Sequence, residues 1–472
     1  MQRRDLLKAG LYGFGGLSFS GLLRARALAS DVASRPGAGL KTALNSDGQP
    51  TAIILVWLRG GCSHLDTWDP KPDAPAEFRS PYTPINTNVP GIILTELLPQ
   101  LSKCADKYSL LRSVAHTGGG HPAGSLQVLA GDPAAADKTL PVLPDWMSIA
   151  NYLRYNPKRQ IPNYITVNPV DRYDSFTIAG STYLGPSYEP FKVTGDPSKP
   201  EFSVPNIGLS DPALARRFAS RILLKRGLDQ VRAEIDQTGA MEAFDDFDRQ
   251  ALTLLTSESA RNAFDLNKEK PHVRERYGMN QWGQQCLMAR RLVEAGVEIV
   301  TTEFDGPLCG RVSNWDDHAV NHHVFEAIKY RAPYFDQAVS ALVEDIYARG
   351  LDKRVLVVVT GEFGRTPRIS HVASSGGGVA SGEKGTVQPG RDHWPRANTM
   401  LFAGGGIETG RIIGKTDARG EDPVERRVSP GDFLATLYHH LGIDARSVAL
   451  PDFAGRPVPI LNSGTPIREL LS

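Results

Sequence analysis

The sequence predicts an α/β protein, with a mainly parallel central sheet and helices on both faces. Three observations carry that expectation. Apolar runs of strand length recur along the chain, and their unbroken character is how a strand covered on both faces reads. Segments of helical spacing, several ending at glycine, lie between them. Histidines and acids gather just after the runs, where an open α/β sheet places its ligands.

The runs come in order. "TAIILVWLRGG" opens the ordered chain at residue 51, and "YSLLRSV" (108–114), "NYITV" (163–167), "VEIVTTEF" (297–304), "RVLVVVTGEFG" (354–364) and "NTMLFAGGG" (398–406) follow. Helices are expected at "LPDWMSIANYLR", over 211–264, at "GMNQWGQQCLMARRLVEAG" with Gly296 as its stop, and over 322–350 with Gly350 as its stop. Strands alternating with helices imply right-handed crossovers and a parallel sheet. Residues 171–210, rich in Pro, Gly, Ser and Tyr, predict an irregular excursion over the sheet. Residues 373–390, "ASSGGGVASGEKGTVQPG", predict a loop, either a lid over a site or a plain insertion. The 472 residues are read as one large domain over 51–472.

Residues 1–29 stand apart. They pair a charged start with an apolar, glycine-rich stretch from Ala9 to Leu23 and a small-residue exit at Ala27-Leu28-Ala29. Arg3-Arg4 followed by Asp5-Leu6-Leu7-Lys8 resembles a twin-arginine export signal, which implies the twin-arginine machinery as a partner and a periplasmic or extracellular location. The stretch is too short and glycine-rich for a good membrane span, although an uncleaved anchor is the plainer alternative. Residues 30–50 read as a flexible leader. Cleavage removes Arg3, Arg4, Lys8, Arg24 and Arg26 together with Asp5, which takes the formal charge from +1 to −3. No basic field for nucleic acid remains, and no later segment is apolar and long enough to span a bilayer. Cys62, Cys104, Cys286 and Cys309 show no paired metal spacing; in an oxidising compartment they allow one or two disulfides of unspecified pairing.

The residues just beyond the runs are the candidates for chemistry. They are His64, Asp66 and Asp69 after the first; His116 and His121 after the second; Asp316, Asp317, His318, His322 and His323 after the fourth; Glu362 and Arg365 after the fifth; and Asp392 and His393 in "GRDHWP". Seven of the eleven histidines fall there, which is what raises these segments above ordinary loops. Carboxylate oxygen and neutral imidazole both suit a divalent metal. The plain alternatives are turns and caps for the Asp-x-His pairs, and an internal ion pair from Arg365 to Glu362 or Asp392. Otherwise Arg365 is placed to grip an anionic group in bidentate fashion. There is no Gly-x-Ser-x-Gly elbow, Ser125 falls within a predicted helix, and no phosphate-cradling loop of the Walker type appears.

Taken together, "LRGGCSHLDTWDPKPDAPAEFR", "VPGIILTELLPQL", "LLRSVAH", "WDDH", "VVVTGEFGRTP" and "GRDHWP" closely resemble the bacterial family called domain of unknown function 1501. That family is grouped with the alkaline phosphatase and sulfatase superfamily. The resemblance implies one or two divalent metal ions (zinc, manganese or calcium) at the carboxyl edge of the sheet, and phosphate or sulfate esters of small molecules or glycans as substrates. Position by position, it implies Asp316, His318 and His393 as ligands of one metal. Glu362-Phe363-Gly364 stands where a second metal takes an Asp and a His, so the carboxylate is kept and the imidazole is not. His64 and Asp66 are the substitutes for an acid expected directly after the first strand. His121 opens "HPAGSLQVLAG", a stretch with the length and glycine ending of the sulfatase nucleophile segment. A histidine there implies a phosphoryl acceptor, a metal ligand, or a chain that has lost covalent catalysis. The alternative function is a non-catalytic member that binds an anionic glycan or acts in envelope assembly.

Overall fold

The computed structural model describes residues 48, 50–156, 159–204, 257–306, 308 and 314–471. The export signal, nearly all of the leader, residues 211–256 of one expected helix and Cys309 lie outside them.

The central sheet contains β1 Ala52–Trp57, β2 Tyr108–Val114, β3 Tyr164–Val167, β4 Phe191–Val193, β5 Ile299–Glu303, β6 Val355–Thr360, β7 Asn398–Gly404 and β8 Arg411–Ile413. Across the sheet they run β8, β2, β7, β6, β1, β5, β3, β4. Strand β1 sits between β6 and β5 and is parallel to both, with Trp57 level with Thr360 on one side and Glu303 on the other. Every residue of β1 and β6 is buried, because helices cover both faces. Alternate side chains divide between the layers. Ile54, Val56, Val357 and Val359 pack beneath the helices Gln281–Glu294 and Val324–Ala348, while Ile53, Leu55, Leu356 and Val358 meet His121–Ala130, Trp146–Leu153 and Pro430–His440.

One strand departs from the expected pattern. β7 is antiparallel to both neighbours, β6 and β2. A reversed strand starts where parallel ones end, so the residues that precede it lie at the carboxyl rim. His393 reaches the rim by that route, five residues ahead of Asn398. The excursion over 171–210 also differs from expectation, since Phe191–Val193 joins the sheet edge beside β3. The expected loop over 373–390 is a hairpin, Ser370–Ala373 against Val387–Gly390. Its side chains and turn are tied to the 319–323 segment: Gln388 Nε2 donates to Ala319 O, and His323 N to Ala380 O.

Cys62, Cys104 and Cys286 are buried free thiols. Among the described residues no helix is long and apolar enough to cross a membrane.

Candidate metal centre

The turn after β1 organises the rim. Gly60 and Gly61 adopt φ of 98° and 81°, backbone that L side chains rarely take. A Cβ on Gly60 would stand 2.6 Å from Asp316 N, and one on Gly61 2.5 Å from Phe363 O. The two glycines therefore let three chain segments close onto one point. Gly60 N donates to Glu362 Oε1 at 3.0 Å. Arg365 then stitches the turn together: Nε donates to Gly61 O (3.0 Å), one terminal nitrogen to Arg391 O (3.2 Å), and the other to Gly60 O and to Asp316 Oδ1, the last at 2.6 Å.

Asp316 is the centre of a four-residue group. Its Oδ1 lies 3.2 Å from His121 Nε2, 2.8 Å from His318 Nε2 and 3.2 Å from His393 Nε2. One ligand atom from each of these residues falls within 4.8 Å of all the others. The opposite ring nitrogens are all taken. His121 Nδ1 donates to Glu362 Oε1 (2.6 Å), His318 Nδ1 to Asp392 Oδ1 (2.7 Å), and His393 Nδ1 to Gly119 O (2.8 Å). A carbonyl or carboxylate oxygen only accepts, so each Nδ1 carries a proton, and each ring when neutral presents a lone pair at Nε2.

That arrangement needs a proton or a metal ion between its members. His318 Nε2 and His393 Nε2 stand 3.0 Å apart, and the oxygen beside both is another acceptor. Two lone pairs do not share such a distance without a proton or a metal between them. Titration follows the same logic. Burial disfavours a charged His318, but the carboxylates of Asp316 and Asp392 outweigh it and lift the ring to about 9. Burial likewise opposes charge on His121, and hydrogen bonds to Asp316 and Glu362 raise it overall. His393 goes the other way, because burial wins and Arg365 and His121 add repulsion. Burial also works against charge on Asp316, yet the three rings and Arg365 hold it far below the usual carboxylate range. Donated Nδ1 protons with Nε2 atoms converging on a carboxylate are the pattern of histidines prepared as metal ligands. The donor set of three imidazoles and one carboxylate fits a divalent ion.

Sequence placement accounts for the geometry. His121 starts the helix His121–Ala130, beside Pro122 and after Gly120, and the helix itself is buried throughout. Tyr173, from the excursion, stacks on the His121 ring with centroids 3.9 Å apart, and Arg59 lies over the far side of Tyr173. Phe363 packs against His393 at 4.5 Å between centroids, so the residue that cannot ligate serves as a wall.

The sequence-predicted residues divide. Asp316, His318, His393 and His121 are brought together, and Glu362 stands behind His121 with its Oε2 buried and without a hydrogen-bond partner. Asp66 is not among them. It is fully buried against Arg391 (2.8 Å), whose other donors reach Phe78 O, Thr366 O and Pro367 O. The physical reason is the guanidinium: a buried carboxylate already matched by a buried arginine is closed to an ion. Arg365 faces inward, its donors spent on three carbonyls and Asp316, where a bidentate grip on an external anion was expected. His64 donates to Gly420 O, Asp69 pairs with Arg112 and Lys71, His116 bonds Glu362 O, and Asp317 pairs with Arg331. His322 lies against Asp317 and His323 caps the helix Val324–Ala348. Tyr173 and Gly119 O were not foreseen, and nothing in their sequence context marks them.

A family model described as "Protein of unknown function (DUF1501)" matches residues 50–471. No curated protein matches the sequence. Among solved structures, the chain is similar to the lipoteichoic acid synthase LtaP from Listeria monocytogenes, at 8% identity and a TM-score of 0.34 over 90% of this chain and 78% of that one. It is similar to the C-terminal periplasmic domain of EcEptC from Escherichia coli in complex with zinc, at 10% identity and a TM-score of 0.35 over 86% of each chain. A protein in the alkaline phosphatase superfamily from Vibrio parahaemolyticus matches at 10% identity and a TM-score of 0.36, over 91% of this chain and 77% of that one. Likeness at these scores carries no argument about chemistry.

Proposed function

The chain belongs to the DUF1501 family of proteins of unknown function, and from the geometry of its rim we propose that it is an exported, metal-dependent hydrolase of phosphate or sulfate esters. The observation that supports this reading is the convergence of three Nε2 atoms on Asp316 Oδ1, with every Nδ1 already bonded. His121, Asp316, His318 and His393 would hold the ion. Three imidazoles and one carboxylate favour zinc or manganese over calcium, which takes oxygen ligands. The bound ion supplies Lewis acidity toward an ester oxygen.

The remaining work falls to the chain itself. Glu362, Asp392 and Gly119 O fix ring orientation and tautomer. Arg365 positions Asp316 and ties the Gly60-Gly61 turn to it. Tyr173 and Phe363 close the sides of the rings to water. Asp316, His318 and His393 stay partly exposed, which leaves a path for a ligand from solvent. Export through residues 1–29, cleavage ahead of a short leader and a single working domain over 51–472 belong to the same reading.

The second reading is a non-catalytic protein that uses the same rim to bind an anionic glycan or to act in envelope assembly. The inward-facing Arg365 and the phenyl ring of Phe363 favour it. Metal analysis of protein exported by its native route separates the two together with a screen of phosphate mono- and diesters and sulfate esters. Near-stoichiometric metal and turnover, both lost in Asp316→Ala and His393→Ala, are expected. Turnover indifferent to both substitutions, or metal-loaded protein inert on every ester, would overturn the hydrolase reading.

A further inference from the structure

Beside the metal centre runs a cleft of about 390 Å³, lined by Thr366, Arg368, Ser370, Asp392, Trp394 and Glu421 among others. Its size falls within the range of small-molecule sites. Asp392 connects the two places, since its Oδ1 takes the His318 Nδ1 proton while its side chain is 54% exposed. Trp394 follows the ligand His393 on the short strand His393–Trp394, paired with Gly364–Arg365. Successive side chains on a strand point to opposite faces. One residue therefore serves the centre and the next lines the cleft. The indole is held in place, with Nε1 donating to Glu421 O at 2.7 Å and the Arg396 guanidinium 5.2 Å from the ring centroid.

The chemistry of the lining selects a class of ligand. Two carboxylates, Asp392 and Glu421, disfavour an anionic group in the cleft itself. Carboxylates and hydroxyls accept hydrogen bonds from neighbouring ligand hydroxyls, the exposed Arg368 donates, and an indole covers an apolar face. An aromatic wall with acidic and hydroxyl partners suits a neutral polyhydroxylated ring. We propose that the cleft is a sugar subsite, in which a neutral pyranose ring lies against Trp394. The cleft's preference for a sugar ring stands apart from the hydrolase reading above.

Saturation-transfer NMR on the full chain, with neutral methyl hexopyranosides, tests this. Wild type should bind at least one neutral methyl hexopyranoside, Trp394→Ala should weaken it at least tenfold, and Trp394→Phe should restore most of it. Neutral sugars that do not bind wild type, or that bind Trp394→Ala equally, overturn the subsite.

Discussion

At the carboxyl rim, Asp66 and Arg391 meet with both side chains fully enclosed, carboxylate to guanidinium at 2.8 Å. From one of the same stretches of chain, two residues beyond Arg391, His393 joins His121 and His318 around Asp316. The first arrangement is complete: one negative charge, one positive, and backbone carbonyls for the leftover donors. The second aims three ring nitrogens at a single carboxylate oxygen. That difference separates a pair that fastens loops from a group built to receive something, although both draw on Asp, His and Arg in similar local sequence.

Four substitutions or conditions probe the contrast. The largest effect is expected from Asp316→Ala, which removes the oxygen on which the rings converge. Metal retained through gel filtration should fall from about one ion per chain to background, measured by elemental analysis, as expected when a ligand of a dedicated site is lost. Asp66→Ala should act on the other side of the comparison. Leaving Arg391 buried and unpaired costs about 3–5 kcal/mol of stability in denaturant titrations. The fraction that folds should still hold its metal, and loss of metal from well-folded Asp66→Ala protein would erase the distinction drawn here.

Asp392→Ala should weaken metal affinity by about 10–100-fold in chelator competition, because His318 loses the partner that fixes its tautomer. The smallest effect per step is pH. Folding raises His318 from 6.5 to about 9, so in metal-free protein its stabilising contribution is full below about 6.5 and is lost as pH rises through about 9. Metal uptake must expel that proton, so affinity should rise over the same window, by about tenfold per pH unit for each proton released. Calorimetry in buffers of different ionisation enthalpy counts the protons. Parallel slopes for metal-free stability and metal affinity would contradict the assignment of His318 as a ligand.

Much of the fold was legible because both faces of β1 and β6 are covered, and such strands spell themselves out as uninterrupted Val, Ile and Leu. The short edge strands Phe191–Val193 and Arg411–Ile413 carry no such signal. The reversal of β7 was not legible either, since periodicity is blind to direction. At the site, Asp316, His318 and His393 could be collected from their places beside the strand ends. Asp66 could not be told from them: Asp-x-His spacing and His-x-Asp spacing look alike, and what closes Asp66 is Arg391, far along the chain. Arg365 falls beside a strand end, but its inward aim depends on carbonyls exposed by the Gly60-Gly61 turn.

The residues around Asp316 come from the start of one helix, a loop past the sheet's middle and a segment near the chain's end, so no short piece of the polypeptide could carry an ion alone. An ion lodged there would cross-link three remote parts of a finished fold, and loading would have to come late in assembly. The coupling also runs backward. A ligand gripped only by the native form adds about 4 kcal/mol when present at a thousand times its dissociation constant. Stripping the ion should therefore loosen the whole domain and not merely silence one corner of it.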